Sequence, residues 1–138
     1  MRYDLAFRII VPKYSNAGER ISTDVLAKYA KAIAEKFGGV TVYPSTIGCW
    51  VTKDGSLQCE ENIVIEADLE TSELREEDVK EYEEFVKDIA KRIANDLGQE
   101  EVMYTIDVLE DVVSVKGKYR KRIPDHMKER DFFKKLLD

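Results

Sequence analysis

The middle of the chain constrains the fold most, because it contains two strand-like segments joined by a tight turn. The first segment spans residues 40–52 and the second spans residues 57–69. Between them lies Lys53-Asp54-Gly55, and Asp-Gly is a dipeptide typical of β-hairpin turns. Pro44 and Gly48 interrupt the first segment, which favours an edge strand or a bulge at those positions. The sequence therefore predicts a long hairpin as the central element.

Two further strands are predicted near the ends of the chain. Along residues 3–11, apolar side chains at the odd positions alternate with a mixed set at the even positions, and Pro12 ends this pattern. Residues 102–108 alternate in the same way, and the apolar pattern continues toward Val115. A period of two is typical of a strand with one buried face.

Two amphipathic helices are predicted, one before the hairpin and a longer one after it. Apolar residues recur in both segments at steps of three and four residues, which is the spacing of a helix with one buried face. Glycines at Gly38-Gly39 and at Gly98 mark the C-terminal ends, because glycine readily adopts the left-handed conformation there. The predicted N-caps are Ser22 or Thr23 for the first helix and Thr71 or Ser72 for the second.

The order β-α-β-β-α-β resembles the ferredoxin-like arrangement, in which two helices cover one face of a four-stranded antiparallel sheet. That resemblance implies strand order 4-1-3-2. From the alternation of the strands, we take the face that bears Phe7, Ile65 and Ile106 as the one that the helices cover. Residues 1–117 would form this domain. Residues 118–138 would form a basic connector and a short C-terminal helix that packs on the domain or extends from it. Because this fold hosts many unrelated functions, the resemblance implies no activity.

The composition narrows the class of protein. A chain of 138 residues predicts one domain, and a net charge of -6 argues against non-specific nucleic-acid binding over the whole surface. No apolar run is long enough to span a membrane, and the N-terminus lacks the pattern of a secretory signal. Abundant Lys and Glu with few Asn, Gln and His is typical of hyperthermophiles. A soluble, cytoplasmic protein is expected.

One candidate site combines strand alternation with this topology. Asp4, Asp68 and Asp107 fall on the open sheet face, near the start of the first strand and the ends of the third and fourth. Three carboxylates could hold Mg²⁺ or Mn²⁺, and such a site could assist phosphodiester hydrolysis. The alternative is a solvated face whose acids are balanced by Arg2, Arg8 or a lysine of the C-terminal segment. That alternative, with no cofactor, is preferred.

The two cysteines, Cys49 and Cys59, lie on opposite strands of the predicted hairpin. A three-residue turn closed by Thr52 and Ser56 places them directly opposite one another, within disulfide range. A two-residue turn instead places Cys59 opposite Trp50. The three-residue turn pairs odd-numbered residues with odd-numbered ones, whereas the expected core residues are Val40 and Val42 on one strand and Ile63 and Ile65 on the other. A bulge near Pro44 or Gly48 would remove this conflict. A disulfide and two ordinary thiols therefore both remain open.

The far part of the hairpin, residues 43–61, is too long to lie wholly over two helices. Its large apolar side chains are then expected to be partly exposed, and a projecting apolar segment is often an oligomer contact. The alternative is that the C-terminal segment folds back and covers it. The residues expected to form an oligomer contact are Ile47, Trp50, Val51 and Leu57.

A basic run after the last strand suggests contact with phosphates. The candidate nucleic-acid-binding residues are Lys116, Lys118, Tyr119, Arg120, Lys121 and Arg122, with Tyr119 stacking on a base. The alternative, a solvated connector, is favoured. The loop 13–21 could bind an anion at the start of the first helix, although a plain connector is the favoured interpretation.

No stretch carries a specific catalytic motif, and no ligand, substrate or pathway is indicated. The leading interpretation is a non-catalytic binding or assembly module that forms a homodimer or larger assembly. Self-association would use the long hairpin or the open sheet face. The alternatives are a metal-dependent phosphoesterase or nuclease and a nucleic-acid binder.

Overall fold

The computed structural model describes residues 2–118 of the chain. The elements follow the predicted order of strand, helix, two strands, helix and strand. Their bounds are β1 Arg2–Pro12, α1 Thr23–Phe37, β2 Thr41–Val51, β3 Leu57–Leu69, α2 Glu76–Leu97 and β4 Met103–Val113. The predicted C-terminal helix and most of the basic connector lie outside the described residues.

The four strands form one antiparallel sheet in the order β2-β3-β1-β4. This is the predicted order 4-1-3-2 read from the other edge, so the ferredoxin-like α+β fold is confirmed. Along β1, Phe7, Ile9 and Val11 share one face and join side chains of both helices in a single buried cluster. Both helices therefore cover the same face, and the other face is open.

Helix α1 begins where the sequence predicts. Ser22 is the N-cap, and its Oγ accepts a hydrogen bond from the backbone N–H of Val25 at 3.1 Å. The helix ends at Gly38, whose φ of 89° lies in the left-handed region that favours glycine. Its buried stripe comprises Leu26, Ala27, Tyr29, Ala30 and Ile33.

Helix α2 begins later than predicted, because Thr71 and Ser72 are engaged elsewhere. The backbone N–H and the hydroxyl of Thr71 both donate to Oδ2 of Asp4, at 2.9 and 3.0 Å. Ser72 donates to the side chain of Glu70 instead of capping the helix. The N-cap is Arg75, whose backbone N–H donates to the Asp78 carboxylate at 3.0 Å. The predicted caps for this helix were therefore wrong.

The core lies between the helices and the inner strands. Aromatic contacts link the layers, with ring centroids of Phe7 and Phe37 5.6 Å apart and those of Phe37 and Tyr82 4.9 Å apart. Residues at the centre, such as Ile63 and Ile65, are 0% and 1% exposed. Burying each such side chain stabilises the fold by about 2–3 kcal/mol. Burial of this kind along β1, β3 and both helices holds the layers together.

Ile106 lies on the predicted face of the sheet, but the helices do not bury it. Its partner across β1 is Phe7, which is 2% exposed, yet Ile106 itself is 41% exposed. Strand β4 is an outer strand of the sheet, and of its helix-facing side chains Tyr104 packs against the core whereas Ile106 is left partly exposed. Val108, two residues further along, is 81% exposed. Among the described residues, neither helix is long and apolar enough to cross a membrane.

The hairpin turn is the three-residue alternative. The N–H of Thr52 donates to the carbonyl of Ser56 at 2.8 Å, and Gly55 has a φ of 87°. A β-bulge between Tyr43 and Thr46 adds one residue to β2. The bulge reconciles this turn with the core pattern, because it shifts the alternation of β2 by one position.

Candidate functional site

The distal half of the hairpin extends beyond the rest of the sheet. The last residue of β1 in the ladder, Pro12, pairs with Asn62, and one further hydrogen bond joins Lys13 N–H to the Glu61 carbonyl at 3.0 Å. Past that point β2 and β3 pair only with each other within the described residues. We call residues 46–61 the arm.

One face of the arm carries three large apolar side chains. Cross-strand pairs 47–61, 49–59 and 51–57 alternate with pairs whose side chains point to the other side. Ile47, Val51 and Leu57 therefore lie on the side that the helices cover elsewhere, and they are 73%, 68% and 69% exposed. Trp50 lies on the opposite side and is 45% exposed. The arm thus presents large apolar side chains to solvent on both faces.

The arm is closed by covalent and polar links. A disulfide joins Cys49 to Cys59, whose Cα atoms are 4.0 Å apart. In the turn, the Asp54 carboxylate accepts hydrogen bonds from the Thr52 hydroxyl and from the Ser56 N–H. These bonds hold the pKa of Asp54 below its usual value, because they favour the ionised carboxylate. The turn and the disulfide together fix the register of a two-stranded segment that the core does not support.

Four charged side chains occupy the centre of the open sheet face. Arg8 donates through Nε to the Glu66 carboxylate and pairs through Nη1 with Asp107. The Glu66 side chain is 10% exposed, so its charge needs this partner. Tyr43 adds a weaker contact, with its hydroxyl 3.5 Å from Oε2 of Glu66. The face is therefore an ion-pair layer that crosses β3, β1 and β4.

Asp68 is the member of this layer that forms no ion pair with a cation among residues 2–118. It pairs across the ladder with Ala6, and its Oδ1 is buried without a hydrogen-bond partner among the described residues. Burial, followed by the nearby Glu66 carboxylate, raises the pKa of Asp68, and the charge of Arg8 opposes this rise. Both main causes penalise the ionised form of Asp68.

The structure does not gather the three predicted metal ligands into one group. Asp4 bonds to Thr71, Asp107 pairs with Arg8, and Asp68 lies beside Glu66. A register shift between Tyr3 and Leu5 interrupts the pairing of β1 with β4 at Asp4. Within residues 2–118, no cluster of three or more His, Cys, Asp or Glu side chains could hold a metal ion.

A cleft of about 640 Å³ opens beside Asp68, between the end of α1 and the end of β3. Glu66, Asp68 and Glu70 line it, together with Gly38 and Gly39 after the end of α1. None of the described residues that line the cleft is basic. Its chemistry suits a ligand that carries positive charge or hydrogen-bond donors.

A buried amide at the base of the arm was not predicted from the sequence. Asn62 is 5% exposed, and its Oδ1 accepts no hydrogen bond among the described residues. A Cβ atom at position 48 would come within 3.1 Å of Asn62 Nδ2, so glycine provides the room that this amide occupies. The interruption at Gly48 was recognisable in the sequence. Its partner was not, because the contact depends on the register across the bulge.

The remaining predicted site residues are placed only in part. Lys116 and Lys118 are exposed after the end of β4, whereas Tyr119, Arg120, Lys121 and Arg122 lie outside the described residues. The loop 13–21 forms a small closed turn, with Tyr14 bridged to Arg20.

Comparisons with known proteins support the fold. No protein-family model matches the sequence, and no curated protein sequence matches it. A solved phage SAM lyase in complex with S-methyl-5'-thioadenosine is similar over 86% of this chain and 93% of its own, with 21% identity and a TM-score of 0.53. The divalent cation tolerance protein CutA1 from Thermus thermophilus is similar over 83% of this chain and 88% of its own, with 15% identity and a TM-score of 0.46.

Proposed function

We propose that the protein is an assembly module that self-associates through its arm. The observation that carries this proposal is the exposure of Ile47, Val51 and Leu57 on one face of a segment whose register is fixed. Large apolar side chains grouped on a projecting segment are typical of protein contacts. A second copy of the chain is the simplest partner, because it requires no other component.

The rigidity of the arm favours this function. Association costs free energy for ordering side chains and loops at an interface, and a segment already held in shape loses less. The disulfide and the bonds around Asp54 supply that order before any partner binds. An arm built this way is better suited to specific contact than a flexible loop of the same composition.

The test is a paired substitution that removes the apolar face but keeps the hairpin. Val51 and Leu57 are directly opposite, so Val51→Lys with Leu57→Glu replaces an apolar pair by a cross-strand ion pair. We expect sedimentation velocity to show an assembly for the natural chain and a monomer for this variant. The self-association constant should fall by at least about 100-fold, which is the effect of losing one or two central contacts.

The matched control exchanges charges on α2. Asp88→Arg with Arg92→Asp reverses an exposed i,i+4 ion pair whose natural N–O distance is 3.0 Å, and it also leaves the net charge unchanged. This control should assemble like the natural chain. A natural chain that stays monomeric at high concentration, or an arm variant that still assembles fully, would refute the proposal.

A second candidate function is the binding of a small organic cation in the cleft beside Asp68. Its support is the three carboxylates that line the cleft and the unsatisfied Oδ1 of Asp68. The likeness to the phage lyase bears on the fold alone, but it suggests a useful pair of probes. SAM carries a sulfonium cation, and S-methyl-5'-thioadenosine is its uncharged relative.

This candidate is tested by calorimetry with both probes. SAM should bind, S-methyl-5'-thioadenosine should bind at least about tenfold more weakly, and Asp68→Asn should abolish the difference, since a factor of ten corresponds to about 1.4 kcal/mol. Asp88→Asn, an exposed acid on α2, serves as the control and should leave binding unchanged. Equal binding of the two probes, or no binding of either, would refute the proposed cation site.

A further inference from the structure

Large exposed apolar side chains occur at two opposite edges of the sheet. One set lies on the arm, along β2 and β3. The other lies on β4, where Met103, Ile106 and Val108 are 60%, 41% and 81% exposed. Since β2 and β4 are the two outer strands of the sheet, one molecule cannot use either set to cover the other.

We propose that copies associate head to tail, with the arm of one copy packed along β4 of the next. This inference rests on the proposed self-association and adds its geometry. A contact between two different surfaces of identical chains is heterologous, and it forms a closed ring when the rotation between copies permits. Every copy in such a ring has both of its apolar sets covered.

The backbone supports this arrangement. Strands β2 and β4 each contain 11 residues, and within residues 2–118 each pairs on one side only. Their outer edges carry backbone groups that another strand can satisfy. Pro44 and the bulge interrupt β2 near its start, which leaves the portion from Thr46 to Val51 as its regular outer edge. That portion belongs to the arm.

The exposed apolar side chains of the arm and of β4 also lie on matching sides of the sheet. Ile47 and Val51 on the arm lie on the helix side of the sheet, as do Ile106 and Val108 on β4, through their pairing with Phe7 and Leu5. If β2 of one copy continues the sheet of the next along β4, these four side chains fall on the same face. Trp50 and Met103 then fall together on the other face, because each has the opposite parity along its strand.

Coverage and charge favour this contact over an arm-to-arm dimer. An arm-to-arm dimer would leave the β4 set in water, whereas the head-to-tail contact covers both sets. Charge agrees, since exposed Glu60 lies at the base of the arm, and exposed Lys116 and Lys118 follow β4.

A mixing experiment with two variants tests the proposal. One is the arm variant Val51→Lys with Leu57→Glu. The other is Val108→Glu, which places a charge at a side chain that is 81% exposed and packs against little of its own chain. Each alone should be monomeric by sedimentation velocity. An equimolar mixture should form a 1:1 dimer, because the arm variant retains an intact β4 and the Val108→Glu variant retains an intact arm.

The outcomes separate this proposal from simple self-association. If the natural chain is monomeric, both the self-association and the head-to-tail contact are refuted. If it assembles and Val108→Glu assembles equally well, or if the mixture stays monomeric, the head-to-tail contact alone is refuted. Hydrogen exchange gives a check that needs no β4 variant. The amides of residues 103–109 that point away from β1 should be protected in the natural assembly and should exchange at least about tenfold faster in the arm variant, as unpaired edge amides do.

Discussion

The same two strands behave differently in the two halves of the hairpin. In the proximal half, Val42 pairs with Ile65, and Ile65 is 1% exposed beneath the helices. In the distal half, Ile47 lies on the same side of the same ribbon and is 73% exposed. The residue type and the side of the hairpin are alike, although Ile65 lies on β3 and Ile47 on β2. The contribution of an isoleucine to the stability of a single molecule therefore depends on what covers it.

The two halves are also held by different forces. The proximal half is held by burial in a core to which β1, β3 and both helices contribute. Apart from the contacts of Lys13 with Glu61 at its base, the arm is held by local links, namely the disulfide and the hydrogen bonds of its turn. The proximal half is part of the folded domain, whereas the arm is a surface segment attached to it. Three experiments sharpen or break that distinction.

The largest difference is expected between alanine substitutions in the two halves. Ile65→Ala removes a buried side chain and should lower the free energy of unfolding by about 3–4 kcal/mol, through lost burial and the cavity left behind. Ile47→Ala removes an exposed one and should change it by less than about 0.5 kcal/mol. Urea denaturation at a concentration where copies are dissociated measures both. Similar losses at the two positions would mean that the arm is part of the core.

Removing the disulfide should have an intermediate effect, concentrated in the arm. Cys49→Ser with Cys59→Ser opens a loop of 10 residues and should cost about 2–3 kcal/mol in the loop-entropy model. Hydrogen exchange should show the arm amides losing protection first, while those of β1 keep theirs. The natural chain under a reducing agent is the control and should match. Equal loss of protection along the whole sheet would show that the arm and core unfold as one unit.

Asp68→Asn on the open face should change the stability least. Unlike the other substitutions, it should stabilise the folded protein. The pKa of Asp68 is raised in the folded protein, so folding favours the protonated carboxyl. Stability should therefore fall as the pH rises from the ordinary carboxyl pKa through the raised one, and remain lower above it. The variant should melt a few degrees higher than the natural chain at pH 7, with the gap closing near pH 3.

Asp88→Asn is the control for this pH dependence, because Asp88 is exposed on α2 and forms an ion pair with Arg92. It should give no rise in Tm at any pH. A melting temperature for Asp68→Asn that lies below that of the natural chain at pH 7 would show that the ionised Asp68 contributes favourably to folding.

Local signals in the sequence predicted the fold well. The alternation of β1, the cap at Ser22 and the stop at Gly98 act within a few residues, so they can be recognised without a structure. The start of α2 depended on a distant partner, because Asp4 takes the hydrogen bonds of Thr71. The exposure of Ile106 depended on how far the helices reach across the sheet, which no alternation pattern records.

The sites were harder to predict for the same reason. A row of carboxylates on one face suggested a metal site, but ion pairing with Arg8 decides where Glu66 and Asp107 point. The space that Gly48 leaves for Asn62 was missed, because it exists only in one register. The side chains exposed on the arm follow from simple length: the hairpin is longer than the helices that cover it.

The bulge between Tyr43 and Thr46 keeps two sets of side chains on one side of the hairpin. Val42 and Ile47 are five positions apart along β2, so a regular strand would place them on opposite sides. Both lie on the helix side because the bulge adds one residue between them, while the alternation of β3 continues without a shift. If β2 had the same sequence but no bulge, either Val42 would leave the core or Ile47 and Val51 would face the open side. The conformation at the bulge therefore links the packing of the core to the surface that the arm offers a neighbour.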